Sequence, residues 1–154
     1  MAYWLMKSEP TTYSFADLKA AKNQTTSWEG VRNYQARTML RDRVKNGDTV
    51  FFYHSSCDEP GVVGLARVVR EGYPDHTAFD PGQRYYDPKS DPDKPRWFMV
   101  DVKYEREVPR LVSLAMMRDE PRLADFALLR RGNRLSVLPV SDQHAAVILE
   151  LAGV

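Results

Sequence analysis

Apolar and polar positions along the chain change period several times, and each change marks an element. Tyr3 to Ser8 is a short apolar run stopped by Pro10, which predicts a first strand. Ser14 then stands where a helix cap belongs, with Asp17 in the first turn and Phe15, Leu18 and Ala21 spaced to face inward. Between Arg32 and Lys45 the helical period returns. Ala36, Met39, Leu40 and Val44 fall on one side, while Asn33, Arg37, Arg41 and Lys45 recur every four residues on another. Asn46-Gly47-Asp48 makes a turn into Thr49 to His54, whose aromatic and β-branched content predicts a strand buried on both faces.

After a turn at Asp58-Glu59-Pro60-Gly61, Val62 to Val69 reads as a strand. Gly64 and Ala66 keep one of its faces small enough for another backbone to approach, as in a tightly closed sheet or barrel. From 71 to 96 the pattern breaks, with seven Gly and Pro residues among Tyr73, Phe79, Tyr85 and Tyr86. A loop so long and so rich in rings is commonly a lid or binding loop. The next strand alternates, Phe98, Val100, Val102 and Tyr104 on one face and Trp97, Met99, Asp101 and Lys103 on the other, so Trp97 points away from the apolar row. The last third holds a short helix around Leu114 to Met117, a basic loop Arg130-Arg131-Gly132-Asn133-Arg134, and a strand Leu135 to Val140. A final helix is capped by Ser141 and ended by Gly153, with Ala145, Ile148, Leu149 and Ala152 as its buried stripe. The sum is an α+β fold, a strongly bent and mostly antiparallel sheet flanked by three or four helices.

Composition narrows this picture. A chain of 154 residues is expected to form one domain, 1–154, with a real core. Its 22 basic and 21 acidic side chains nearly cancel, so any contact with nucleic acid must come from a local patch. The lone Cys57 excludes an intramolecular disulfide and a cysteine-built zinc site and fits a reducing compartment. The apolar run at the N-terminus is too short for a signal peptide, and no segment approaches the roughly 18 apolar residues of a membrane span. The expectation is a cytoplasmic monomer with no cofactor, no metal and no membrane partner.

Two stretches carry candidate chemistry: Met6-Lys7-Ser8-Glu9-Pro10 and Trp28-Glu29-Gly30-Val31-Arg32-Asn33-Tyr34-Gln35-Ala36-Arg37. Each sets polar and ionisable groups at the end of an apolar run, which suits a flat, hydrogen-bonding ligand carrying phosphate, such as a nucleobase. Trp28 sits in a loop entering a helix. It either packs beneath that loop or offers a wall for a base, an interaction of roughly 1–3 kcal/mol. Lys7-Ser8-Glu9 is either a surface pair or a reading edge, in which a carboxylate accepts from an exocyclic amine such as cytosine N4 and Ser8 donates or accepts. Asn33 and Arg37 are placed to contact phosphate, whereas Arg41 and Lys45 fit a solvated face. Arg130, Arg131, Asn133 and Arg134 are better placed, because a Gly turn exposes backbone donors beside three guanidiniums. His54, His76 and His144 read as structural or solvent-facing. No metal spacing, phosphate-cradling Gly loop, nucleophile elbow or dinucleotide fingerprint occurs, so an enzyme built on Glu9, His54 or Asp101 has no positive signature.

These two stretches, with Gly47-Asp48, Phe52-Tyr53-His54-Ser55, Gly61-Val62-Val63-Gly64, Tyr85-Tyr86-Asp87-Pro88-Lys89-Ser90, Pro95-Arg96-Trp97 and Arg131-Gly132-Asn133-Arg134-Leu135-Ser136-Val137, resemble the EVE domain family. The blocks run in order over nearly the whole chain. That family is similar in fold to PUA domains and to the YTH readers of methylated adenine. The resemblance implies a PUA-like pseudobarrel with a cleft for a single, often modified, base extruded from its strand. It implies Lys7, Ser8 and Glu9 on the base's polar edge, Trp28 as one wall of an aromatic cage, and Asn33 near the base or sugar. Arg130, Asn133 and Arg134 are implied near the phosphates. The second wall is expected from the 73–97 region, with Phe79, Tyr85 and Trp97 as candidates. Arg131 and Asn133 occupy a loop where YTH proteins tend to carry an acidic residue; with Glu9, that difference favours a cytosine derivative over adenine. The expected function is a non-catalytic module that reads a flipped, modified base in DNA or RNA. An enzyme acting on a modified base or nucleotide and a protein-interaction module remain the alternatives.

Overall fold

Strand β3, Thr49–His54, is the spine of the protein, which a computed structural model describes over residues 1–154. Its side chains alternate between two hydrophobic clusters, Val50 and Phe52 entering one while Phe51 and Tyr53 enter the other. Burial on both faces was the expectation for this apolar run, and no residue from Val50 to Tyr53 is more than 3% exposed. β1, Tyr3–Ser8, lies parallel to β3, with Ser8 opposite His54, and divides its side chains in the same way: Trp4 and Met6 to one cluster, Leu5 to the other.

β4, Gly61–Pro74, pairs antiparallel with β3 and with the long β5, Phe98–Ser113, which in turn carries the short β2, Thr25–Ser27. β6, Val137–Val140, runs antiparallel to β1. The six strands follow the order β2-β5-β4-β3-β1-β6. Register shifts in the β3/β4 and β4/β5 ladders bend this sheet, as bulges do. No ladder joins β2 to β6, so the bent sheet stays open along one seam.

The helices form where the periodicity placed them. α1, Phe15–Ala20, begins with a capping box in which the Ser14 hydroxyl accepts from the Asp17 amide and the Asp17 carboxylate accepts from the Ser14 amide. α2, Tyr34–Asp42, is shorter than the apolar pattern from Arg32 to Lys45. Asn33 caps it through the Ala36 amide at 3.0 Å, and Val44 stays buried just beyond its end. α3 is Leu114–Arg118, and α4, Asp142–Ala152, is capped by Ser141 and stopped at Gly153, where φ is 82°. No helix is long and apolar enough to cross a membrane.

Two expectations need correction, and one strand carries no signal in the sequence. The strand predicted to end at Val69 runs on to Pro74, and the loop beyond it contains a 3₁₀ turn at His76–Phe79. β2 carries too few residues to reveal a period. The small face at Gly64 admits a side chain rather than a backbone, since a Cβ there would lie 2.1 Å from the Phe15 ring. The close backbone approach occurs instead at Gly61, whose Cβ would meet the Val112 carbonyl oxygen at 2.4 Å.

Candidate nucleic-acid interface

A cavity of about 440 Å³ opens beside the free end of β2, lined also by the end of β1 and the segment entering β6. Lys7, Ser8 and Glu9 line it where β1 ends, and Thr12 and Tyr13 follow from the next turn. That turn is set by the Glu9 carbonyl, which accepts from the Thr12 and Tyr13 amides at 2.9 Å each. The Ser8 hydroxyl donates to the Tyr13 carbonyl at 2.6 Å, so toward a ligand it is an acceptor only. Lys7 is partly buried, and desolvation lowers its ammonium pKa, with no carboxylate contributing to the shift. A donor is thus held at the cavity with its charge uncompensated by the protein.

Trp28 serves both fold and cavity. Its amide donates to the Val100 carbonyl at 2.8 Å, extending the β2/β5 pairing by one residue. Its ring meets Phe52 edge-on at 5.3 Å, and only 7% of the residue is exposed. The indole thus packs beneath its loop, one of the two readings that the sequence left open. It belongs to the Trp4–Phe52 cluster, and a cavity opens beside it.

Another part of the lining is fixed by a carboxylate the sequence did not single out. Asp75 is fully buried and accepts from the Gly30 amide at 2.8 Å, from Arg32 Nη1 at 3.0 Å, and from the Thr77 amide and hydroxyl at 2.9 and 2.5 Å. Burial alone would raise its pKa, but these donors together outweigh that effect and hold it below the ordinary carboxylate value. Arg32 continues from Asp75 to the Tyr85 carbonyl, donating from Nη2 at 2.6 Å. The Tyr85 ring lies over Gly30, where φ is +83° and a Cβ would come within 2.5 Å of it. Arg84 sits 5.4 Å from the centre of the same ring and donates to the Thr12 hydroxyl at 3.4 Å, linking the two sides of the cavity.

Of the three candidates for a second wall, only Tyr85 lines the cavity. Trp97 lies elsewhere, 6% exposed, donating from Nε1 to Asp87 at 2.7 Å and stacking on Tyr34 at 4.8 Å. Phe79 is half-buried on its 3₁₀ turn and stands outside the cavity. Asn33 and the basic loop gather at a second cavity of about 370 Å³, formed with Gln35 and Leu135, and Arg134 lines both cavities.

Two expected phosphate contacts are otherwise engaged. Asn133 donates from Nδ2 to the Ala127 carbonyl at 2.6 Å and accepts from the Leu135 amide at 2.9 Å, so it pins the loop. Arg37 donates to the Arg96 carbonyl at 2.9 Å and lies 5.2 Å from the Tyr34 ring. Farther along the helical stripe, Arg41 pairs with Asp42 at 2.8 Å and Lys45 with Glu71 at 3.8 Å. Arg130, Arg131 and Arg134 remain exposed. His54 is held by the fold: its Nε2 accepts from the Phe15 amide at 3.1 Å, and burial lowers its pKa.

Arg32, Arg84 and Asp75 are the site residues that sequence reasoning missed. Arg32 stood inside the quoted Trp-Glu-Gly-Val-Arg stretch, but Asp75 carried no periodic signal, being one of several Asp residues in an irregular loop.

Known proteins resemble this chain in sequence and in fold. Human thymocyte nuclear protein 1 is 42% identical over 166 aligned positions, which cover 97% of this chain and 73% of that protein. The zebrafish (Danio rerio) protein of the same name is 50% identical over 124, covering 75% of this chain and 53% of its relative. A crystal structure of a Pseudomonas syringae protein superposes with a TM-score of 0.93 at 42% identity, covering 98% of this chain and 99% of that one. Human THYN1 protein, solved in complex with 5-methylcytosine containing DNA, also gives 0.93 at 42%, covering 99% of this chain and 98% of that one. An ASCH protein from Zymomonas mobilis, at 10% identity and a TM-score of 0.59, shares the fold alone. The EVE domain model matches residues 2–151, and the chain belongs to the EVE domain family.

Proposed function

We propose that this chain is a non-catalytic DNA-binding module that reads a modified cytosine, rotated out of the duplex into the 440 Å³ cavity. The observation that carries this reading is the pairing of an aromatic-flanked cavity with a cluster of exposed guanidiniums at its margin. A volume in the range of roughly 300–1,000 Å³ is typical of small-ligand sites. Trp28 and Tyr85 supply aromatic surface, and stacking on such a ring contributes roughly 1–3 kcal/mol per base. Glu9 accepts from the exocyclic amine of cytosine, Lys7 donates to its ring acceptors, and Ser8 is restricted to accepting. Arg130 and Arg134 hold the backbone. The human relative solved with 5-methylcytosine DNA supports both the polymer and the base.

Burying one extra methyl is worth only about 0.8 kcal/mol, about fourfold in affinity, so sharp selectivity requires a wall that does not give way. The Asp75–Arg32–Tyr85 contacts supply such rigidity. An enzymatic reading built on Glu9 and His54 is weakened because the His54 acceptor nitrogen is engaged with Phe15.

The test is a competition panel of DNA and RNA oligonucleotides, each bearing one modified base, measured against wild type and Tyr85→Ala. Preference for a modified cytosine in DNA, lost with Tyr85, is the expected result. Equal binding of modified and plain strands overturns the reading, and chemical change in the recovered oligonucleotide overturns its non-catalytic part.

A further inference from the structure

The second cavity is a shallow, open hollow of about 370 Å³, with Leu135 as its one apolar residue and Arg130, Arg131 and Arg134 all on its lining. None of these three guanidiniums belongs to an ion pair, whereas Arg32, Arg41, Arg67, Arg96 and Arg122 each have a carboxylate within 4 Å. In a chain of net charge +1, this is a local concentration of uncommitted positive charge.

The loop that carries it is also prearranged. Asn133 fastens it by both ends of its carboxamide, and the Asn133 amide closes a turn onto the Arg130 carbonyl at 3.1 Å. At the tip, Gly132 has φ +80° with nothing within 4 Å of where a Cβ would stand, so the approach to its backbone is open. The Arg131 and Gly132 amides donate to no backbone acceptor. Turn amides without a backbone acceptor, beside fork-shaped guanidiniums, suit a tetrahedral oxyanion.

Arg134 lines this cavity and the base cavity together, so the two adjoin. In a polynucleotide, the phosphates nearest a base are the two carried by its own sugar. An oxyanion seat adjoining a base cavity therefore receives one of those, and not the phosphate of a more distant neighbour.

Building on the base-reading function above, we infer that the second cavity seats the phosphate attached to the recognised nucleotide itself. A single modified deoxynucleoside monophosphate, free or at a strand end, is then a sufficient ligand, and duplex DNA is not required.

Titration calorimetry at low salt with 5-methyl-2′-deoxycytidine, its 5′-phosphate, its 3′-phosphate and an oligonucleotide bearing 5-methylcytosine tests this. One of the two monophosphates is expected to bind at least about tenfold more tightly than the nucleoside, the worth of one charge-assisted hydrogen bond. Which of them does so fixes the strand's direction through the site. In Arg131→Gln and in Arg130→Gln the ratio of nucleotide to nucleoside affinity is expected to fall below about threefold, the loss of most of that same bond. A ratio unchanged by both variants overturns the seat, and so do wild-type monophosphates that bind no better than the nucleoside. If only the oligonucleotide binds, this inference fails while base reading stands. If the oligonucleotide does not bind either, both fail.

Discussion

Arg32 donates a 2.6 Å hydrogen bond to the main-chain carbonyl of Tyr85, and its guanidinium lies 5.6 Å from the centre of that residue's ring. The same guanidinium is paired with Asp75 at 3.0 Å and lies 5.4 Å from the Trp97 ring. One side chain thereby ties the Trp28–Arg32 segment to the loop that faces it. Arg32→Ala leaves the buried Asp75 carboxylate with its Gly30 and Thr77 donors only, and is expected to cost about 3 kcal/mol, the low end for breaking a buried pair. Arg32→Lys restores the charge but not the planar fork, so it should recover part of the stability and little of the base selectivity. Urea unfolding and the methylated-to-plain affinity ratio measure the two separately. Full recovery of selectivity by Lys would show that charge alone matters.

Gly30→Ala and Gly132→Ala form an informative pair. Both positions have φ near +80°, which costs a non-glycine residue about 1–3 kcal/mol. Only at Gly30 does the new methyl also collide with the Tyr85 ring, at 2.5 Å; at Gly132 it meets nothing. Gly30→Ala should therefore lower both stability and base affinity, whereas Gly132→Ala should lower stability by about 1 kcal/mol from backbone strain alone. Equal losses of stability in the two variants would contradict the placement of Tyr85 on Gly30.

Removing Trp28 outright confounds its two roles. Truncating a large buried aromatic to Ala typically costs about 3–5 kcal/mol, so Trp28→Ala should lose stability whatever the indole does for a ligand. Trp28→Phe keeps an aromatic edge against Phe52 and shortens the surface facing the cavity. It is expected to lose more affinity for a modified oligonucleotide than stability, as read by fluorescence polarisation beside thermal melts. The opposite order would make position 28 a core residue only.

Tyr85 and Trp97 should separate in the same assay. Tyr85→Ala is expected to weaken oligonucleotide binding by roughly 1–3 kcal/mol, the worth of one stacked base. Trp97→Phe loses its hydrogen bond to Asp87 and should cost about 1 kcal/mol of stability, with affinity nearly retained. A larger affinity loss at Trp97 would reverse the assignment of the wall.

Acid should weaken the fold through His54. Burial holds this imidazole below its ordinary value of 6.5, and its unprotonated Nε2 is the acceptor for the Phe15 amide. Unfolded, the ring takes up a proton near pH 6.5; folded, it resists, so the unfolded state binds more protons. The stability His54 contributes is therefore complete above about pH 6.5 and is lost as pH falls through the folded value. His54→Gln replaces the acceptor nitrogen with an amide oxygen that does not titrate, and should flatten the slope of the urea midpoint between pH 7 and 5. A wild-type slope that persists in the variant would assign the effect to other groups.

Much of this was legible in the sequence because it rested on period and capping. β1 and β3 announced themselves by apolar runs, α1 and α4 by their serine caps, and Gly153 by its place after the last buried residue. Lys7, Ser8, Glu9, Trp28, Tyr85 and Arg134, all candidates on sequence grounds, converge on one cavity. The remainder depended on long-range partners that local pattern does not encode. Asn33 and Asn133 carry the right chemistry for a ligand, yet their side chains are claimed by Ala36, Ala127 and Leu135. Asp75 lies 45 residues from Gly30, and nothing near it in the chain marks it as the brace of a wall.

The seam between β2 and β6 leaves two strand margins with no neighbouring strand, the kind along which chains add to one another and aggregate. Here each margin is blunted. β2 offers three residues, and β6 offers four, including Pro139, which has no amide proton to give. A foreign strand would find too few rungs to climb, while a compact planar guest needs none. The open seam thus offers a doorway to such a guest and little purchase to another strand.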